Sequence, residues 1–311
     1  MFMARRKPSD SQITLRRRYD FHIGEAVRAS LAGSYDKAAA HSGTALSISR
    51  ELYRKAYDHR PELAAALACH AGSSAAYGRI GDALTMLTES AGHYAVLAAA
   101  DPDAYEVRRI DVLTRVALAS DAAGNTCGAI ALLREVIQMY GKAPAAAKAE
   151  RDFGRASARF HLGRCLLKTG ERHAALAELD AGLADAERAW TRLRGDAPSG
   201  AGASFAAESE VAPAAIGSWL ATAPRFVQVI APDWAAAAVR AMALHAAARH
   251  WHLAARAART AVRLSASLAA LGGDGQRETY AAIRARADAI WARARQEPFQ
   301  RAPARTPEGA C

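Results

Sequence analysis

The sequence predicts an all-α protein in which antiparallel helix pairs stack into a solenoid and a capping helix follows at the C-terminal end. Alanine, the best helix former, occurs 81 times in 311 residues, whereas aromatic residues make up only 7%. A pattern of glycine and small residues recurs at constant spacing along much of the chain. Residues that favour the start of a helix stand where the repeat predicts that helices begin.

The repeat has a period of 46 residues and is centred on three glycines. Each glycine is followed five positions later by an alanine: Gly78 by Ala83, Gly124 by Ala129 and Gly170 by Ala175. A weaker copy begins 45 residues earlier, at Gly33. Glycine readily adopts the left-handed conformation that ends a helix, and small residues let two helices approach closely. The pattern therefore predicts a tight turn between two antiparallel helices.

The predicted helices pair in the order of the chain. The four pairs are 12–32 with 35–57, 61–77 with 81–99, 103–122 with 126–141, and 146–168 with 172–193. Pro61, Pro102 and Pro144 stand in first helical turns, where a missing backbone N–H costs nothing, and Asp101 is a predicted N-cap. A pair cannot bury its apolar faces alone, so we expect neighbouring pairs to share one core.

The remaining segments differ in composition from the repeats. We predict a basic, disordered N-terminus at 1–11, the four pairs at 12–194 and a Gly/Ser/Ala-rich linker at 195–213. Residues 214–296 predict a degenerate pair, 233–249 with 252–271, and a capping helix at 276–296. Residues 297–311 predict a disordered tail. One face of the capping helix is apolar: Tyr280, Ile283, Ala287, Ile290, Trp291 and Ala294.

The repeated positions resemble tetratricopeptide repeats, in the long-helix variant known from bacteria. The resemblance rests on the turn glycines, the alanines after them, and the leucines nine positions after each glycine: Leu87, Leu133 and Leu179. The standard unit has 34 residues, so 12 more are spread over each pair here. The large aromatic residue early in the first helix is absent. The resemblance covers 12–193 well and 232–295 loosely, and it implies a right-handed α-solenoid with a concave groove.

The resemblance also implies a non-catalytic scaffold or adaptor that binds a peptide or helix of a partner protein. Carried over residue by residue, the groove is lined by Asp111, Thr114 and Asp121 in one repeat and by Phe160, Arg164 and Lys168 in the next. In this hypothesis Arg164 and Lys168 supply positive charge and Phe160 is an apolar anchor. The two aspartates supply a counter-charge that fixes the direction of the peptide.

Other functions stay open as alternatives. One is a regulatory sensor that binds a small peptide or ligand and acts on a separate effector, with segment 214–234 closing over the groove. Another is a basic nucleic-acid-binding solenoid, because the net charge is +10 and basic runs occur at 5–7 and 16–18. No aromatic residues for base stacking are interleaved within those runs, so a nucleic-acid partner is not favoured. An enzyme with dispersed catalytic residues is the last alternative.

Signatures of catalysis, metal binding and membrane insertion are absent from the sequence. There is no phosphate loop, dinucleotide fingerprint or nucleophile elbow, so we predict no enzyme activity and no cofactor. His245, His250 and His252 are interpreted as a His-rich turn and not as a metal site. The four cysteines form no Cys-x-x-Cys pair, and no stretch has 18 apolar residues. We therefore expect a cytoplasmic protein that does not contact a membrane.

Overall fold

The computed structural model describes residues 10–31, 34–143, 148–193, 225–271 and 274–296. Within these ranges the chain forms helices joined by short turns and contains no strand, which confirms the predicted all-α class. The chain divides into two compact units, Met1–Pro198 and Ser199–Cys311. Several predicted features lie outside the described residues: the basic run 5–7, Pro144, the linker 195–213 and the tail 297–311.

The first unit contains eight α-helices in its described part. They are α1 (Asp10–Leu31), α2 (Tyr35–Lys55), α3 (Arg60–Ala76), α4 (Ile80–Ala100), α5 (Pro102–Ala122), α6 (Thr126–Lys142), α7 (Lys148–Lys168) and α8 (Arg172–Leu193). A single 3-10 turn, Tyr57–His59, precedes α3. The predicted bounds of these eight helices lie within two residues of the observed ones.

Each helix packs against the next one along the chain, so the eight helices form four successive pairs. We call α1, α3, α5 and α7 the A helices, and α2, α4, α6 and α8 the B helices. A helices of neighbouring pairs also touch, α1 against α3 and α5 against α7. This is the packing expected of a repeat array, in which each unit contacts its neighbours.

The turns that follow α3, α5 and α7 share one geometry. Gly78, Gly124 and Gly170 have φ values of 73°, 91° and 85°, which lie in the left-handed region. The residue after each glycine donates its backbone N–H to the carbonyl five residues earlier, at 3.0, 2.9 and 2.9 Å respectively. These are the hydrogen bonds of a Schellman helix end, so the sequence repeat is a repeat of one turn.

Small buried residues bring the two helices of a pair together. Ala83, Ala129 and Ala175 are 0% exposed. In the fourth pair a Cβ added to Gly163 would lie 2.9 Å from Cγ of Leu179, closer than real Cβ contacts allow. The leucines nine positions after the turn glycines are buried, and one apolar cluster runs from Ile110 in α5 to Ala175 in α8. Neighbouring pairs therefore share a core.

Capping side chains start two of the helices. Asp101 accepts a hydrogen bond from the backbone N–H of Ala104 at 3.1 Å, and Pro102 occupies the first turn of α5. Asn125 caps α6 in the same way, with Gly128 N as the donor at 3.0 Å. Each cap satisfies a backbone donor that the helix itself leaves unpaired.

The second unit contains three helices in its described part: α9 (Arg225–Ala247), α10 (Trp251–Leu271) and α11 (Asp274–Gln296). Helix α9 begins eight residues earlier than predicted and continues through Pro232, although proline removes one hydrogen bond from a helix interior. Helix α10 packs against both neighbours. The predicted apolar face of α11 meets α10, because Trp291 Nε1 donates to the carbonyl of Ala255 at 3.1 Å.

No helix within the described residues is both long enough and apolar enough to cross a membrane.

Candidate functional site

The six predicted groove residues lie on two neighbouring A helices. Asp111, Thr114 and Asp121 are on α5, and Phe160, Arg164 and Lys168 are on α7. The structure brings three of them into direct contact, namely Asp121, Arg164 and Lys168. Of the other three, Thr114 and Phe160 are buried and Asp111 is exposed.

Arg164 and Lys168 converge on one carboxylate oxygen of Asp121. Lys168 Nζ donates to Asp121 Oδ2 at 2.7 Å, and Arg164 Nη2 donates to the same oxygen at 3.3 Å. The second oxygen, Oδ1, accepts a hydrogen bond from Thr126 Oγ1 at 2.9 Å. Asp121 therefore links the last turn of α5 to the first turn of α6 and to α7. We call Asp121, Arg164 and Lys168 the cation cluster.

The cation cluster carries one more positive charge than negative charge. Burial raises the pKa of Asp121, but the hydrogen bonds from Lys168 and Thr126 and the two nearby positive charges outweigh it, so the pKa lies below its ordinary value. The carboxylate is thus ionised at neutral pH. The Asp121 side chain is 2% exposed, whereas those of Arg164 and Lys168 are 33% and 49% exposed. A net charge of +1 therefore faces solvent through the two cations.

Phe160 and Thr114 do not offer the surfaces that the sequence predicts for them. Phe160 is 3% exposed and fills space inside its own helix pair, where a Cβ added to Gly182 would lie 2.6 Å from ring atom Cε1. The missing side chain at Gly182 leaves the room that the ring occupies. Thr114 is 6% exposed, and its hydroxyl donates to the carbonyl of Ile110 at 2.9 Å. The prediction of an apolar anchor at Phe160 is corrected accordingly.

Asp111 is exposed and pairs with a neighbour on its own helix. Its Oδ2 lies 3.3 Å from Nε of Arg115, one helical turn away, and the two side chains are 52% and 42% exposed. An exposed pair of this kind stabilises a helix by only about 0.3–0.5 kcal/mol. Both groups are therefore free to exchange partners, and the pair carries no surplus charge.

The A helix of the second pair presents little side-chain bulk. Ala65 and Ala75 are partly exposed, and Gly72 and Ala76 are exposed. A Cβ added to Gly72 would meet no atom within 4 Å. These residues occupy the positions on α3 that correspond to Asp111, Leu118, Asp121 and Ala122 on α5. At three of these four positions α5 carries the larger residue, so the exposed surface of the A helices, which we call the A-helix face, is more open on α3 than on α5.

A second charged cluster, which the sequence did not reveal, ties α7 to α8. Asp185 on α8 is 1% exposed and accepts two hydrogen bonds from Arg155, from Nε at 2.9 Å and from Nη2 at 2.8 Å. Arg159 donates to Asp185 at 3.1 Å and to Glu178 at 2.7 Å. Arg188 also contacts Asp185. The spacing of Arg155 and Arg159 on one helix face is the only sequence signal for this cluster.

The other features that the sequence singled out lie elsewhere. Among the described residues, no group of three or more His, Cys, Asp or Glu side chains is arranged to hold a metal ion. His245 is buried, and its ring centroid lies 6.0 Å from that of His250. Arg16, from the basic run 16–18, forms ion pairs with Glu62 and Asp20. In segment 214–234, residues 225–234 belong to α9 and the rest lie outside the described residues.

No family model matches the chain, and no curated protein matches it. Among solved structures, it is similar to a kinesin-light-chain-like protein of Podospora anserina with nearly identical TPR-like repeats (TM-score 0.45, 16% identity, 93% of this chain and 100% of that one). It is also similar to BtubC from P. vanneervenii (0.42, 14%, 89% and 99%) and to the apo form of RapI (0.46, 10%, 89% and 85%).

The first unit is nonetheless a tetratricopeptide-like helical repeat by its own geometry. The left-handed turn glycines recur every 46 residues, the alanines five positions after them are fully buried, and each pair packs against the next.

Proposed function

We propose that the chain is an interaction scaffold that holds a peptide segment of another protein along its A-helix face, with an acidic group of the peptide at Arg164 and Lys168. The observation that carries this proposal is the surplus charge of the cation cluster. Two cations share one buried carboxylate while remaining one third and one half exposed. A ligand carboxylate that joins them would form charge-assisted hydrogen bonds, which are stronger than neutral ones.

Asp121 supports this role by holding both cations in place before a ligand arrives. Lysine and arginine each lose substantial side-chain entropy when they are immobilised. Because their hydrogen bonds to Asp121 already order Arg164 and Lys168, less of that cost falls on binding. The aspartate that the sequence assigned as a counter-charge for the peptide is therefore proposed here to position the two cations.

The remainder of the A-helix face gives such a peptide room and a direction. Asp111 lies ten residues from Asp121 on α5, which is about 15 Å along the helix axis. A basic group of the peptide at Asp111 and an acidic one at the cation cluster would set its orientation. The small residues on the exposed side of α3, in the preceding helix pair, leave space for a bulkier side chain of the peptide.

The first experiment is selection of peptides from a random 12-residue library displayed on phage. We expect the parent protein to enrich peptides that contain Asp or Glu, and Lys168→Gln to lose that enrichment. Arg164 remains in this variant and still neutralises Asp121. The matched control is Lys142→Gln, which removes the same charge from an exposed position on α6. An equal acidic preference in the parent and in Lys168→Gln would contradict the proposal.

A second variant separates ligand binding from a purely structural role. Asp121→Asn keeps an oxygen that accepts from Thr126 but removes the competing negative charge. If the two cations bind the peptide, both variants should change the affinity for a selected acidic peptide: Lys168→Gln lowers it by removing one cation, and Asp121→Asn changes it by releasing both cations from the carboxylate that orders them. If the cluster only braces α5 against α7, both variants should lower the melting temperature and leave peptide affinity unchanged. That second outcome would contradict the proposal.

Affinity purification from the native host, followed by mass spectrometry, would then identify the partner. A protein that the parent and Lys142→Gln recover, and that Lys168→Gln does not, is the expected result. Recovery of nucleic acid alone would instead support the basic-surface alternative.

A further inference from the structure

We propose that His22 on α1 and His41 on α2 form a two-histidine site for a borderline divalent metal ion such as Zn²⁺, Cu²⁺ or Ni²⁺. The Nδ1 atoms of the two imidazoles lie 3.0 Å apart. Their ring centroids are separated by 5.3 Å and the ring planes are inclined by 39°. The site lies in the first helix pair, on a different pair of helices from the cation cluster.

The distance between the two nitrogens suits a shared cation. A neutral imidazole has one N–H and one nitrogen lone pair, so two Nδ1 atoms at this distance share a single proton. When both rings carry their proton on Nε2 instead, two lone pairs face each other and a cation between them removes the repulsion. Imidazole nitrogen is a preferred ligand of zinc, copper and nickel.

The bond lengths of such ions match the observed spacing. Two metal–nitrogen bonds of about 2.0–2.1 Å that meet at about 90–110° place their nitrogens about 2.9–3.4 Å apart. The observed 3.0 Å falls in that range. The rings face each other nearly head-on, so each would have to turn by about 40° to direct its lone pair at a common metal ion. Water would occupy the remaining positions, as in an open metal site.

The surroundings keep the two rings available for a metal ion. Phe21 packs edge-on against both rings, with centroid distances of 5.2 Å to His22 and 6.2 Å to His41. Both histidines are partly exposed, so an ion can reach them. The charged groups acting on His22 are Glu25, one turn along α1, which favours a cation, and Arg18, which opposes it.

The test is isothermal titration of the full-length protein with ZnCl₂ at pH 7.5. We expect one ion per chain to be bound by the parent, and its affinity to fall on the order of tenfold or more in His22→Gln and in His41→Gln, each of which removes half of the protein ligands. The matched control is His93→Gln, which replaces another partly buried histidine of the first unit and should bind zinc like the parent. Circular dichroism checks that each variant is folded.

Copper gives an independent readout of the same site. Electron paramagnetic resonance of the Cu²⁺ complex should show coupling to two imidazole nitrogens in the parent and to one in His41→Gln. Because His22 and His41 lie on different helices, either variant serves if the other fails to fold. Metal affinity that is unchanged by both substitutions would place the ion elsewhere, for example at the His-rich turn 245–252, and would overturn the proposal. The absence of zinc binding by the parent would overturn it as well.

Discussion

The residue at the left-handed position of a turn sets the conformational cost of that turn. Glycine occupies this position after α3, α5 and α7, with φ between 73° and 91°. In the second unit the turn between α9 and α10 has the same hydrogen bonds, because His250 donates its backbone N–H to the carbonyl of His245 at 2.8 Å. There the left-handed residue is Arg249, with φ of 58°. A non-glycine residue in this conformation is destabilised by about 1–2 kcal/mol.

Replacing Arg249 by glycine should therefore stabilise the protein. The relief of about 1–2 kcal/mol at φ 58° exceeds the extra entropy of glycine in the unfolded chain, so we expect Arg249→Gly to raise the free energy of unfolding by about 0.5–1 kcal/mol. Urea denaturation monitored by circular dichroism measures the change. The reciprocal control is Gly124→Ala, which should lower stability, since alanine is strained at φ 91°. A lower stability for Arg249→Gly would show that its side chain has a role that outweighs the strain.

At the scale of the helix pair, small residues decide how closely two helices pack. Ala117 on α5 and Ala129 on α6 are both 0% exposed and belong to the apolar cluster that joins α5, α6, α7 and α8. The fourth pair has Gly163 and Ala175 in the same places. A chain rich in alanine thus forms a thin core of closely approaching helices, with leucine and tyrosine filling the spaces between pairs.

Enlarging one of these contact residues should separate the pair. Ala129→Leu introduces three carbon atoms where no surface is exposed, and we expect the free energy of unfolding to fall by about 1–3 kcal/mol through overpacking. Thermal denaturation measures this loss of stability. The control is Ala131→Leu on the exposed side of the same helix, which should change stability by no more than about 0.5 kcal/mol. Equal melting temperatures for the parent and Ala129→Leu would mean that Ala129 is not at a tight contact.

At the scale of the whole molecule, partly buried histidines distributed over the first unit make its stability depend on pH. Burial lowers the pKa of His22, His70 and His93, and nearby positive charges lower each of them further. His70 also forms a hydrogen bond through Nδ1 with Ser42 Oγ at 2.9 Å. In the unfolded chain the three groups return to the ordinary histidine value of about 6.5. The unfolded state therefore binds more protons than the folded state below that pH.

The protein should consequently lose stability on acidification. A histidine whose pKa is lowered by folding contributes stability above its unfolded pKa and loses it as pH falls, so the decline should begin near pH 6.5 and continue below it. A second decline should follow near pH 4 and below, where Asp121, whose pKa is also lowered, becomes protonated. Urea denaturation at pH 8, 6 and 5 measures the first decline. The triple variant His22→Gln, His70→Gln, His93→Gln should flatten it, and an unchanged slope would contradict the assignment.

Much of the fold could be predicted because its signals are local in the sequence. The left-handed turn needs glycine, a tight contact needs alanine, and a first turn tolerates Pro102 after the cap Asp101. These requirements recur every 46 residues, so helices α1 to α8 were predicted to within two residues. The start of α9 was predicted wrongly, because proline was interpreted as a break at Pro232 and the helix continues through it.

The candidate site was less predictable, since its contacts join residues that are distant in sequence. The family register correctly placed Asp121, Arg164 and Lys168 on neighbouring A helices, but it could not show that the cations meet that carboxylate across 43 and 47 residues. It also placed Phe160 in the groove, whereas the ring fills the space beside Gly182. Neither the Asp185 cluster nor the pair of His22 and His41 has a motif of its own.

The sequence by itself determined the helical class, the pairing of helices and the 46-residue repeat, because helix propensity, capping and turn conformation depend on residues a few positions apart. Only the tertiary structure decided which side chains are buried, which charges neutralise each other and which nitrogens face one another. Those outcomes depend on the distance between whole helices and on their relative rotation. Small changes in either quantity leave the sequence pattern unaltered.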